Sequence, residues 1–114
     1  MSLNEFLTQL SQHPEQVEFS DTMAVIEENY SFTPCSFVNG DTVNEADQNN
    51  GSCKIFAFGL LNDLSAEQTL ACFGTYYRND VLKNPEGNDH QNIRNFMVSG
   101  WDGVKFDGTA LTSK

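Results

Sequence analysis

Two short polar segments contain most of the side chains in this sequence that could perform chemistry. The first, residues 49–56, places Cys53 next to a lysine at the start of an apolar run. The second, residues 88–96, contains His90 and, four positions later, Arg94. A thiol, an imidazole and a guanidinium are the groups that acyl chemistry uses as nucleophile, base and anion anchor. Neither segment carries an established catalytic, metal or nucleotide signature.

Cys53 and His90 are the candidate catalytic residues. If Ser52 caps a helix, Cys53 lies in its first turn, where the helix dipole, the free amides and Lys54 would stabilise a thiolate. His90 is predicted in the first turn of another helix, where the dipole favours the neutral imidazole that can accept a proton. The pattern therefore predicts a cysteine of lowered pKa that performs acyl or thioester chemistry.

Other polar side chains in and beside these segments are candidates for ligand binding. Arg94 shares a helix face with His90, because residues four apart are neighbours on a helix, and it could hold a carboxylate or phosphate. The predicted ligand-binding residues are Asn44, Asn49, Ser52, Lys54, Asn92 and Arg94.

A purely structural interpretation of the same residues stays open. A free cysteine usually behaves as a small buried hydrophobe. His90 would then cap its own helix, and Arg94 would pair with Asp89 or Glu86 on the surface.

The composition is that of one folded, strongly acidic domain. The chain has 114 residues, of which 39% are hydrophobic and 11% aromatic, which is enough apolar mass for a core. The net charge is −10, and the six basic residues are scattered along the chain. Because nucleic acids and anionic membranes bind through basic clusters, both are excluded as expected partners. The predicted partner is a small molecule or a protein.

The cysteines point to a reducing compartment. Cys35, Cys53 and Cys72 are odd in number and have no C-x-x-C spacing, so neither a zinc site nor a disulfide framework is predicted. We expect no metal and no cofactor. No apolar stretch approaches the roughly 20 residues of a transmembrane helix, and the N-terminus lacks the features of a secretory signal. These observations predict a cytoplasmic protein.

Capping boxes and apolar periodicity predict a helical domain. Ser2 and Glu5 open a helix over residues 3–12, and Ser65 with Gln68 opens another whose apolar stripe runs to Val81. Gly74 lies on that stripe, which predicts a neighbouring element close to the backbone. Further helices are predicted from Ser20 or Asp21 to the Thr33-Pro34 stop, over about residues 53–61, and from Asn88 or Asp89 to a C-cap at Gly100.

The resulting fold class is mainly α, with an α+β arrangement left open. We expect a single domain over residues 1–114 with about five helices and a small β-hairpin around Asn39-Gly40, a dipeptide that favours type I′ turns. Trp101, Val104 and Phe106 are predicted to fold back onto the core.

Five segments together resemble the HopJ-type family of type III effectors. They are residues 22–26, 49–56, 68–74, 85–97 (PEGNDHQNIRNFM) and 100–111, so the resemblance covers almost the whole chain. It implies a type III effector and assigns no catalytic residue. Since the first helix is predicted almost at once, without a polar serine-rich leader, we expect a resident cytosolic role rather than secretion. The expected function is therefore non-enzymatic binding or interaction, and the alternative is a Cys53–His90 enzyme.

Overall fold

The structure, a computed structural model, describes residues 2–114 as an α+β domain in which helices dominate. The five α-helices are α1 (Leu3–Gln12), α2 (Phe19–Asn29), α3 (Asn50–Leu61), α4 (Ala66–Ala71) and α5 (Gln91–Ser99). A π-helix spans Tyr76–Val81, and 3₁₀-helices span Pro14–Gln16 and Gly100–Gly103. The strands are β1 (Tyr30–Phe32), β2 (Phe37–Asn39), β3 (Thr42–Asn44), β4 (Val104–Phe106) and β5 (Leu111–Ser113). The predicted helical fold with a small hairpin is confirmed.

The first two helices begin at capping boxes. The Glu5 amide donates to Ser2 Oγ at 3.1 Å and the Ser2 amide donates to Glu5 Oε1 at 3.2 Å, which confirms the predicted start of α1. A second capping box, formed by Glu18 and Asp21, opens α2 with Glu18 as its N-cap, two residues before Ser20, the nearer of the two expected caps. The predicted stop at Thr33-Pro34 is wrong. The helix ends at Asn29 because the chain then pairs as β1 with β5.

The strands form two small antiparallel sheets. β2 lies between β3 and β4, and β1 pairs with β5. The predicted hairpin connects β2 and β3, but the predicted type I′ turn centred on Asn39-Gly40 is wrong. Asn39 is a strand residue that pairs with Thr42, so the turn residues are Gly40 and Asp41, and only Gly40 has a positive φ, of 61°. β4 and β5 were not predicted. Each has three residues, which is too short for a period of two to be recognised.

Gly74 interrupts the helix that the sequence predicted to be continuous. α4 ends at Ala71, Gly74 adopts a φ of 62°, and the chain resumes as the π-helix. A Cβ on Gly74 would lie 2.6 Å from the backbone nitrogen of Phe19. The predicted close approach is therefore confirmed, but its consequence is a break in the helix.

The core is built around α3, whose middle is buried on all sides. Phe56 is in ring contact with Phe37, Phe73, Phe96 and Trp101, and Phe58 contacts Phe6 and Tyr30. The C-terminal segment folds back as predicted, since Val104 is buried and the indole nitrogen of Trp101 donates to the Leu64 carbonyl at 2.9 Å. Within residues 2–114, no helix combines the length and apolar character needed to cross a bilayer.

Candidate functional site

A pocket of 490 Å³ lies where α3 and α5 begin, and we call it the α3–α5 cleft. One group of lining residues carries rings, namely Phe19, Phe73, Tyr76 and His90. A second group carries hydroxyl or amide side chains, namely Thr42, Asn49, Ser52, Gln91 and Asn92. Gly51 and Ile93 complete the described lining, which contains no Asp, Glu, Lys or Arg. The cleft thus combines an aromatic surface with uncharged polar groups.

A second depression, of 540 Å³, is formed by residues at one face of α1 and its end. All of its lining residues fall within residues 4–13. The α3–α5 cleft instead gathers side chains from distant parts of the chain, as ligand sites do. It is therefore the candidate functional site.

Both helices that open onto the cleft begin in the same unusual way. The residues before their first turns, Asn49 and His90, have left-handed backbones with φ values of 53° and 49°. Neither side chain caps its helix. The amide N–H groups of residues 50–52 and 91–93 consequently have no hydrogen-bond acceptor within residues 2–114. These amides are free hydrogen-bond donors at the N-terminal ends of both helices.

The π-helix holds the imidazole of His90. His90 Nε2 lies 3.1 Å from Asp80 Oδ2. The ring centroids of Tyr76 and His90 are 5.3 Å apart. The carboxylate of Asp89 is more distant, with Oδ2 3.9 Å from Nε2. Within the described chain, Nδ1 has no hydrogen-bond partner. The histidine is therefore fixed at one ring nitrogen and free at the other.

A network of asparagine amides lies behind the cleft. Asn44 and Asn92 exchange two side-chain hydrogen bonds of 3.1 and 3.0 Å, and the Asn49 amide donates to Asn44 Oδ1 at 2.6 Å. Asn39 donates to Asn92 Oδ1 at 3.1 Å, and Asn95 donates to the Asn39 carbonyl at 3.0 Å. The network ties the hairpin to the start of both helices.

Four of the predicted site residues line the cleft together, namely Asn49, Ser52, His90 and Asn92. Asn44 was predicted to contact a ligand, but it is only 1% exposed and positions Asn49 and Asn92 from behind. Sequence reasoning placed these residues in two segments but could not show that the segments meet.

The predicted activation of Cys53 is wrong. Its side chain is 1% exposed, it does not line the cleft, and its thiol donates to the Cys35 carbonyl at 3.6 Å. Burial raises the pKa of the Cys53 thiol to about 11. The cause is the start of α3, which lies at Asn50 rather than after Ser52. The Cys53 amide already donates to the Asn49 carbonyl, so Cys53 lies beyond the free amides of the first turn.

The two predicted cationic contacts also lie away from the cleft. Lys54 Nζ is 4.9 Å from the centroid of the Phe32 ring. Arg94 binds Asp89 Oδ1 at 2.6 Å, the Asp89 carbonyl at 2.6 Å and the Asn84 carbonyl at 2.8 Å. Its donors are thus used to hold the loop before α5, and the alternative in which Arg94 pairs with Asp89 is confirmed.

Sequence reasoning missed Phe19, Thr42, Phe73, Tyr76, Asp80 and Gln91 at or beside the cleft. The sequence contains no signal for Asp80. The predicted apolar stripe ending at Val81 assumes an α-helix of 3.6 residues per turn, and the direction of each side chain was inferred from that period. The π-helix has a different period and turns both Tyr76 and Asp80 toward His90.

The fold and the cleft define the class of protein: a small helix-dominated α+β domain with a polar and aromatic pocket between two helix starts. The sequence profile of the HopJ type III effector protein family matches residues 3–111, so the chain belongs to that family. It is also similar to VPA0580, a protein of unknown function with a crystal structure. The two share 65% sequence identity with a TM-score of 0.99, over 100% of this chain and 95% of that one. No curated protein matches the chain.

Proposed function

We propose that this protein binds a small organic ligand in the α3–α5 cleft. The ligand has a flat apolar part and one or more oxygen acceptors. The observation that carries this proposal is the meeting of a ring-lined surface with two sets of free backbone donors in one 490 Å³ pocket. Ligand sites characteristically combine an apolar wall with a few convergent polar groups.

The ring-lined side is suited to stacking. Phe19 and Tyr76 meet edge to face with centroids 5.1 Å apart, and Tyr76 remains 42% exposed. An exposed aromatic side chain beside a pocket offers apolar area to a planar ligand at little cost in conformational entropy.

The polar side is suited to oxygen acceptors. Gly51, Ser52 and Gln91 line the cleft within the first turns of the helices whose amides are unpaired. The chain carries sixteen acidic residues, yet none of them is among the lining residues. A ligand group rich in oxygen acceptors can therefore accept hydrogen bonds from these amides, and no carboxylate in the lining would repel it.

The asparagine network supports the proposal by fixing the shape of the cleft. Asn44 and Asn92 are 1% and 6% exposed, and their paired amides connect the hairpin to both helix starts. A binding site whose walls are held in place before binding loses less conformational entropy when the ligand arrives.

A fragment screen tests the proposal. Planar fragments that carry oxygen acceptors are screened by ligand-observed NMR and by thermal shift against three proteins: wild type, Ser52→Tyr and Ser11→Tyr. Ser52 lines the cleft, whereas Ser11 is exposed on α1, so the two variants make the same chemical change at different places. Binding that Ser52→Tyr abolishes and Ser11→Tyr retains would support the proposal. Hits that bind all three proteins equally would contradict it.

We propose that the protein acts inside the bacterial cytosol. All three cysteines are free thiols, which suits a reducing compartment. Fractionation of the native cells tests the location, and a translocation reporter fused to the full chain tests delivery into host cells. Reporter signal that depends on the type III machinery would favour the effector role instead.

A further inference from the structure

We propose that the α3–α5 cleft hydrolyses carboxylic esters, with His90 as the general base and Asp80 as its positioning residue. This inference rests on the proposed function, because a substrate must first bind in the cleft. It adds a chemical step that binding alone does not require. The nucleophile is a water molecule, which replaces the cysteine that the sequence suggested.

The hydrogen bonding of His90 assigns a role to each ring nitrogen. Nε2 lies 3.1 Å from Asp80 Oδ2, so a neutral imidazole in this pair carries its proton on Nε2 and donates it to the carboxylate. Nδ1 is then the basic nitrogen, and it has no hydrogen-bond partner within residues 2–114. Since His90 lines the cleft, the pair forms an oriented base at a pocket.

Two irregular backbone features position the imidazole of His90. His90 has a φ of 49°, a conformation that costs free energy for a residue other than glycine and that clusters at functional sites. The π-helix, a rare structure often found at such sites, supplies both Asp80 and the Tyr76 ring beside the imidazole.

The reaction follows from this arrangement. Nδ1 of His90 takes a proton from water as the water oxygen forms a bond to the ester carbonyl carbon. The carbonyl π electrons move to its oxygen, giving a tetrahedral oxyanion. When the oxyanion reforms the carbonyl, the bond from carbon to the alcohol oxygen breaks, and the proton on Nδ1 passes to that oxygen. The products are a carboxylic acid and an alcohol, so all atoms and electrons are accounted for.

The lining favours carboxylic esters over phosphate esters as substrates. Phosphoryl transfer relies on cationic clamps for the charge on the phosphate oxygens, and no Lys or Arg is among the described lining residues. The single negative charge of a tetrahedral intermediate can instead be met by unpaired amides such as those of Gln91 and Asn92. The rings of Phe19 and Tyr76 suit an aryl group, so aryl esters are the substrate class.

Hydrolysis of phenyl acetate, measured as phenol release by chromatography, tests the inference. His90→Asn is expected to lower kcat/KM about 100-fold, the lower end of what general base catalysis contributes. Asparagine tolerates a positive φ, so this variant keeps the backbone of α5. His13→Asn is the matched control, because His13 is an exposed histidine outside the cleft, and it should leave kcat/KM unchanged.

Asp80→Asn distinguishes a positioning role from a structural one. Asp80 does not line the cleft, so this change should lower kcat while KM stays within about twofold. A solvent isotope effect on kcat is expected in the wild type, because a proton moves in the rate-limiting attack. A rapid initial release of one phenol per protein molecule, absent in Ser52→Ala, would indicate that Ser52 is the nucleophile. That result would overturn the assignment of water as the nucleophile.

The result that overturns the inference is a wild type that hydrolyses phenyl acetate no faster than His90→Asn. If fragments still bind the cleft in that case, the proposed binding function stands and only the hydrolytic step is lost. If no fragment binds the cleft, the binding function itself fails.

Discussion

Asn44 and Asn92 exchange two side-chain hydrogen bonds although 48 positions separate them in the chain. One amide comes from β3 and the other from the second residue of α5. Each side chain donates to the other, and both are buried. This pair joins the sheet to the helix starts at the cleft.

Replacing Asn92 by alanine should destabilise the protein by about 2 kcal/mol, because the buried Asn44 amide nitrogen then loses its acceptor. Urea unfolding followed by circular dichroism measures the change. Gln91→Ala is the control, since the Gln91 side chain is exposed and bonds only to Asn95 among the described residues, so its cost should stay below about 0.5 kcal/mol. Equal stability losses in the two variants would contradict a structural role for the amide pair.

Cys53 should resist alkylation in the folded protein. Its thiol is buried with a pKa raised to about 11, whereas Cys35 is half-buried. In variants that keep a single cysteine, iodoacetamide at pH 8 should modify Cys35 readily and Cys53 only at the rate of global opening. Rapid modification of Cys53 without unfolding would revive the thiolate hypothesis.

The same raised pKa predicts a loss of stability at alkaline pH. Well below pH 9, the ordinary pKa of a cysteine thiol, the thiol is neutral in both the folded and the unfolded chain, and Cys53 contributes no pH dependence. Between pH 9 and about 11, the unfolded chain releases the Cys53 proton first, so the free energy of unfolding falls. Cys53→Ser should flatten this part of the profile relative to the wild type. An unchanged slope from pH 9 to about 11 would contradict the burial of the thiol.

Gly74→Ala should destabilise the protein by at least about 2 kcal/mol. Alanine would adopt a left-handed backbone, and its Cβ would lie 2.6 Å from the Phe19 nitrogen. Thermal unfolding measures the loss. At Gly108 a Cβ would meet only Cys35 Sγ, at an ordinary 3.4 Å, so Gly108→Ala should change stability by less than about 1 kcal/mol. If Gly74→Ala were as stable as this control, the close approach to α2 would be disproved.

Asp89 should contribute to acid sensitivity. Its hydrogen bond from the Arg94 guanidinium holds the pKa of the Asp89 carboxyl below its usual range. A carboxyl whose pKa is lowered by folding stabilises the folded state above the unfolded pKa of about 4, and this contribution disappears as pH falls through the folded pKa. Asp89→Asn should therefore lose less stability than wild type between neutral and strongly acid pH in urea titrations. Glu86→Gln, an exposed change without an ion pair within residues 2–114, should follow the wild-type curve.

Local sequence signals determined the helices but not always their ends. The capping boxes at Ser2 and Ser65 fixed the starts of α1 and α4, because the interacting groups lie within four residues of one another. α3 begins at Asn50, earlier than predicted, and α5 begins at Gln91, later than predicted. The residues before these helices, Asn49 and His90, have left-handed backbones, and no capping motif in the sequence marks either start. The earlier start of α3 is what moved Cys53 from a free helix start into the core.

The sequence by itself determined an acidic, helix-rich fold of the HopJ family and the two polar segments that meet at the cleft. Composition, periodicity and segment similarity are properties of the chain alone. Only the tertiary structure decided which side chains of those segments face one another. It buried Cys53, committed Arg94 to Asp89 and brought Asp80 to His90, because contacts between distant residues depend on how helices and strands pack. That packing has no signature in the local pattern of residues.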